Sequence, residues 1–142
     1  MENNNPRIGV AAIIRKDNKI LLWKRKSPLG EGTRAFTGGK LEYHEDIIEA
    51  AKRETLEEAG ISIQNCKVIG ITNDKHPDSH RITIFVLCDY DTGEVKIMEP
   101  EKCEKRERFD RENFPTPLFL GIENLRKTHF HPFNNSISIF PE

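Results

Sequence analysis

The chain has 142 residues, 36% hydrophobic and 32% charged, and its 22 lysines and arginines against 23 acidic residues leave a formal charge of −1. That length suits one domain around one core, residues 1–142, and the near-neutral balance excludes the global basic field that would hold an RNA or DNA duplex. Cys66, Cys88 and Cys103 form neither an even set nor a CxxC pair, and no signal peptide or apolar 18-residue run occurs. The sequence therefore reads as a reduced, cytoplasmic protein with no membrane partner.

In chain order, Met1–Pro6 is polar and is expected to be disordered. Ile8–Arg15 is an apolar run of strand length, Asp17-Asn18 is a turn, and Ile20–Lys26 is a second strand, so the two are expected to pair as a hairpin. Ser27–Ala35 carries two glycines and a proline and reads as a loop. Asp46 with Glu49 is an aspartate version of the capping box, and Gly60 supplies a left-handed stop, which predicts a helix over 47–59. Cys66–Thr72 and Arg81–Tyr90 follow as strands joined by a polar loop, NDKHPDSH, and Thr92-Gly93 turns the chain again. Lys102–Phe109 reads as an edge strand. Pro117–Thr128 is the second helix, with Leu118, Ile122 and Leu125 at helical spacing. These elements predict an α/β fold, a mixed sheet with helices on both faces.

The helix over 47–59 carries the chemistry. At about 100° per residue, Glu54 and Glu58 project within about 40° of each other and Glu57 lies about 60° to the other side of Glu54. Ile48, Ala51, Thr55 and Ala59 occupy a separate sector of about 80°, suited to packing on a sheet. Like charges four residues apart destabilise a helix, so a cation between Glu54 and Glu58 explains the pair better than a solvated charged face does. All-oxygen donors favour Mg²⁺, with Mn²⁺ as a substitute, and Mg²⁺ commonly bridges carboxylates to substrate phosphates. The implied substrate is a polyphosphate.

This segment resembles the box of the Nudix hydrolases: a glycine, five residues, a glutamate, seven residues, then R-E-U-x-E-E-x-G-U, with U a bulky apolar residue. Here the positions are Gly39, Glu45, Arg53, Glu54, Thr55, Glu57, Glu58, Gly60 and Ile61. Thr55 departs from the apolar position, and Thr37 stands where the family usually has proline before the glycine pair. Outside the box, GVAAII, LLWKRK, ITIFVLC, EPEKCE and PLFLGIENL are similar to segments of the MutT-like nucleoside triphosphate diphosphatase branch.

The resemblance implies an α/β/α sandwich with a loop-helix-loop site. It implies that Glu54, Glu57, Glu58 and the Gly38 carbonyl hold the metal, that Arg53 orients Glu54, and that Glu45 braces Arg53. It implies a nucleotide substrate, cleavage of a nucleoside triphosphate to monophosphate and pyrophosphate, and leaves a homodimer open. For the general base it offers Glu57 or Glu107, with Glu104 behind them. Relatives commonly carry tryptophans around that downstream glutamate, where this chain has Lys105, Arg106 and Arg108.

Substrate contacts are read from Gly38, Gly39, Arg25 in the Lys24-Arg25-Lys26 cluster, and Phe36 or Phe119 as stacking platforms. Each also has a structural reading, a strand end for Arg25 and core packing for the aromatics. Pro77, 16 residues past the box, is a cue for the alternative, an ADP-ribose or nucleoside-diphosphate-sugar pyrophosphatase. A non-catalytic nucleotide-binding module is the third reading, set against the complete set of box carboxylates. His76 and His80, four apart, invite zinc, but the polar residues around Pro77 argue for a loop. His44, His129 and His131 carry no stronger signal.

Overall fold

The computed structural model describes residues 5–110 and 113–127, and the structural statements below concern these. Met1–Asn4, His129 and His131 lie outside the described residues. The elements are β1 Arg7–Lys16, β2 Lys19–Arg25, β3 Arg34–Ala35, β4 Thr37–Lys40, α1 Ile47–Ala59, β5 Ser62–His76, β6 Ser79–Thr92, β7 Cys103–Asp110 and α2 Leu120–Arg126.

The seven strands form one mixed sheet. The β1–β2 hairpin turns at Asp17 and Asn18, both at positive φ, as a tight two-residue connection requires. Beyond that turn the two strands separate. β1 pairs in parallel with β6 along one edge and antiparallel with β4 along the other, while β2 is flanked by β3 and by β7. β7 pairs with β2 alone, the edge position expected of it.

Alternation along β1 sends Val10, Ala12 and Ile14 to one face and Ile13 to the opposite one. On the first face α1 packs through Ala50, Ala51 and Ala59; on the second α2 packs through Ile122 and Leu125. Two main cores, one per face, with a smaller cluster of Trp23, Ala35 and Cys103, make the expected α/β/α sandwich.

The helix α1 has the predicted bounds, and Gly60 closes it at φ 72° with its N–H donated to the Leu56 carbonyl. The capping box itself does not form, because Asp46 makes no side-chain cap hydrogen bond. Glu45, one residue earlier, instead accepts from the Glu42 N–H and steadies the loop entering the helix.

The loop expected over Ser27–Ala35 ends early, because Arg34 and Ala35 pair with Lys24 and Trp23 as β3. Three other expectations change. The polar stretch NDKHPDSH is not a loop: residues 73–76 and 79–82 continue β5 and β6 in register, leaving Pro77-Asp78 as the turn. Cross-strand partners make polar residues acceptable there, since the buried Asp74 accepts from Thr83 Oγ1 at 2.6 Å and Asn124 Nδ2 at 2.8 Å. His76 and His80 pair with Ser79 and Lys75 respectively, so the pleat places them on opposite faces and they do not share an ion. The second helix begins at Leu120, not Pro117, because the Leu118 backbone bridges Arg34 in extended form. Finally, the glycine pair at 38–39 is itself strand, β4, hydrogen-bonded to β1.

No helix among the described residues is long and apolar enough to cross a membrane.

Candidate functional site

Strand β4 and helix α1 meet where the glycine pair faces the acidic side of the helix. Gly38 N–H donates to Glu58 Oε1 at 3.2 Å, and the Glu54 carboxylate lies so close to Gly39 that a Cβ there would stand 2.4 Å from the Glu54 carboxyl carbon. Any side chain at 39 would displace Glu54.

Arg53 organises the carboxylates around it. Its Nε and Nη2 hold both Glu45 oxygens, at 2.6 and 3.0 Å, Nη1 reaches Glu54 at 2.8 Å and Glu57 at 3.2 Å, and Nη2 also donates to the Lys40 carbonyl. This two-pronged grip holds the Glu45 carboxyl below its usual range, chiefly through the Arg53 hydrogen bond, and pushes the guanidinium above its own. Arg53 thus touches both Glu45 and Glu54, the two neighbours expected of it.

Glu58 is only 6% exposed. Burial first, and then the nearby Glu54 charge, push its carboxyl up to about 8, against the pull of Arg106 and the Gly38 N–H. Below the ordinary carboxylate range both folded and unfolded chains hold this proton; between that range and about 8 only the folded chain holds it. Hence the stability of the protein in chelator is expected to fall as pH rises through this window to about 8. Melting temperature followed across pH checks this, and a slope that persists unchanged in Glu58→Gln would assign the effect elsewhere.

The donor set suits a hard divalent cation: the partly exposed Glu54 and the buried Glu58 crowd together at Gly38 and Gly39, and an ion between them would relieve the repulsion that, after burial, raises the Glu58 carboxyl. Glu57, 54% exposed at its side chain, is turned toward Arg53. Among the described residues no three His, Cys, Asp or Glu side chains are gathered in metal-binding array.

The cleft begins at the glycine pair. A cavity of about 60 Å³ there is lined by Gly38, Gly39, Gly9, Trp23, Arg25, Phe36, Arg81 and Phe119, among others. Phe36 also packs edge-on against Phe85 in the core, and its carbonyl accepts from Trp23 Nε1. Arg25 lies over Phe119 at 4.3 Å and is fixed by the Leu29 carbonyl and Ser27 Oγ. Burial, then the charge of Arg81, lower the Arg25 guanidinium to about 10. Larger hollows, about 580 Å³ beside Val95–Ile97 and about 620 Å³ at the β5–β6 tip, include none of the box carboxylates.

Glu107 stands apart from the box. Its carboxylate, 40% exposed, lies 3.3 Å from both Arg34 and Lys105. The adjacent Arg106, on the other face of β7, is the residue that reaches α1, donating to the Glu58 carbonyl at 2.8 Å and passing 3.8 Å from Glu58 Oε2, with its side chain 2% exposed. Glu104 pairs with Lys24 at the surface.

Sequence reasoning missed Arg81 and Arg106. Arg81 enters the cleft through the parallel pairing of β1 with β6, for which no local pattern exists. Arg106 did leave a signal, since it stands among the residues that replace the expected tryptophans.

The two departures from the box pattern meet. Thr37 and Thr55, both fully buried, join Oγ1 to Oγ1 at 3.3 Å between β4 and α1.

A family model described as NUDIX domain matches residues 5–129. An ADP-ribose pyrophosphatase of Methanocaldococcus jannaschii is 38% identical over 117 residues, covering 81% of this chain and 68% of that protein. An NAD-capped RNA hydrolase, NudC, of Haemophilus influenzae is 36% identical over 95 residues, 65% of this chain, and the chain spans only 35% of its length. Among solved structures, a MutT NUDIX hydrolase from Burkholderia pseudomallei superposes with a TM-score of 0.80 at 29% identity, covering 86% of this chain and 97% of that one.

Proposed function

Because the chain belongs to the Nudix family of hydrolases, we propose that it cleaves a nucleoside triphosphate to the monophosphate and pyrophosphate. One observation carries the reading: a carboxylate pair, the buried Glu58 and the partly exposed Glu54, is held against the Gly38-Gly39 strand at the mouth of a cleft that also presents Arg25. The triphosphate reading is supported by the resemblance of GVAAII, LLWKRK, ITIFVLC, EPEKCE and PLFLGIENL to that branch, and the match to the Burkholderia MutT NUDIX hydrolase runs nearly the full length of both chains. A second reading, hydrolysis of ADP-ribose or a related nucleoside diphosphate derivative, is favoured by the Methanocaldococcus relative and by Pro77 at the hairpin tip.

Glu54, Glu57, Glu58 and the Gly38 carbonyl would hold Mg²⁺, or Mn²⁺ in its place. When bound, such an ion neutralises phosphate oxygens and lowers the pKa of a bound water. The chain's own residues do the rest. Arg53 fixes Glu54 and Glu57 in place, with Glu45 clamping Arg53 from behind. Arg25 meets the polyphosphate from the opposite wall; of the two aromatics expected to stack on a base, Phe36 is buried against Phe85 and the Phe119 ring lies between Arg25 and His76, so both serve packing. Water adds to phosphorus as the bridging P–O bond breaks, and the proton it sheds goes to a carboxylate. Glu57 is assigned that role because it sits at the box beside Glu54, whereas Glu107 stands apart from it; both carboxylates are paired with cations, Glu57 with Arg53 and Glu107 with Arg34 and Lys105, so position separates them.

A panel of nucleoside triphosphates and ADP-ribose, assayed for pyrophosphate, monophosphate and ribose-phosphate release with Mg²⁺ or chelator, tests the reading. Pyrophosphate release from triphosphates that stops in chelator is the expected result. Cleavage of ADP-ribose alone would move the assignment to the second reading.

A further inference from the structure

Arg81 is half-buried and lines both small cavities that adjoin Gly39, and its side chain makes no hydrogen bond or ion pair among the described residues. Its surroundings are cationic. Arg7 stands in register with it on the parallel strand β1, and Arg25 lines the same cavity from β2. The one acid in register with it, Asp74 on β5, has its oxygens occupied by Thr83 and Asn124. Burial and the neighbouring Arg7 both work against the charged form of Arg81, with Asp74 opposing them. Half-buried guanidiniums that share one narrow space repel each other; Asp74 beside Arg81 and Glu58 near Arg25 offset this only in part, and an anionic occupant would remove the remaining cost.

We propose that Arg81, with Arg25 across the cavity and Arg7 at its rim, receives a third anionic group of the substrate, a phosphate beyond the two joined by the scissile anhydride. The inference rests on the box being a phosphoanhydride site. It makes Arg81 a specificity residue: a triphosphate supplies the third anion, whereas a nucleoside diphosphate sugar ends in a neutral sugar. A guanidinium's planar fork of N–H donors matches a terminal phosphate in shape as well as charge.

The test uses the whole protein with Mg²⁺ and two probes, inorganic tripolyphosphate and pyrophosphate, measured by calorimetry. The wild type is expected to bind tripolyphosphate at least roughly tenfold more tightly than pyrophosphate, the usual worth of a charged hydrogen bond. In Arg81→Gln that ratio should collapse to within about threefold, with Arg81→Lys in between and a melting curve to confirm folding. An unchanged ratio in Arg81→Gln, or parallel weakening of both probes, would overturn the inference, as would a wild type without preference. The functional reading is judged separately. Should the preference collapse in the variant while no nucleoside triphosphate is cleaved, Arg81 keeps its role and the proposed reaction does not.

Discussion

Replacing Glu58 with glutamine is expected to lower turnover by at least roughly 10²-fold, the scale on which lost transition-state charge stabilisation is felt. The fold should survive the change. Without an ion, burial and Glu54 already favour the neutral form of Glu58, and a glutamine oxygen can still accept the Gly38 N–H. What the amide cannot do is present a second anionic oxygen beside Glu54. The variant is therefore expected to melt like the wild type in chelator near neutral pH and to lose the stabilisation that Mn²⁺ gives the wild type. Turnover within about threefold of wild type would remove Glu58 from the reacting site.

Gly38→Ala is expected to be the most disruptive single methyl in the molecule. A Cβ at 38 would stand 2.3 Å from the Val10 carbonyl oxygen and 2.9 Å from the Ala11 Cα, both backbone atoms of the central strand β1. Strand β4 cannot yield locally without breaking its pairing with β1 across Thr37–Lys40. Overpacking of this kind costs about 3 kcal/mol, and for a chain of this size the melting temperature should drop by roughly 10 °C. Thermal and denaturant unfolding would show it. An alanine variant as stable as the wild type would mean that β4 can lift from the sheet. The obstacle at Gly39 differs in kind, being the mobile end of Glu54 and not the backbone.

The parts of this molecule legible in the sequence were those with local causes. Helix α1 announced its end through a left-handed glycine and its start through the residue types at Asp46 and Glu49, and the β1–β2 turn announced itself through Asp17-Asn18. Expectations failed where distant partners decide. Polar residues 73–76 look like a loop until Thr83 and Asn124 are seen to satisfy Asp74. The capping box was read from residue types alone, yet Asp46 leaves its cap bond unmade. In the candidate site, the grouping of Glu45, Arg53 and Glu54 followed from the resemblance to the Nudix box, and one helix with its entry loop holds all three. Arg81 and Arg106 were not, since each arrives on a strand whose place in the sheet is set by pairing with residues far away in the chain.

The hydroxyl bridge between Thr37 and Thr55 has an evolutionary corollary. Proline at 37 or an aliphatic residue at 55, introduced singly, strands the remaining buried hydroxyl, whereas the double replacement removes both polar groups together. Such paired sites are epistatic. A lineage can pass between the threonine and the proline form of this box only by crossing a less stable intermediate.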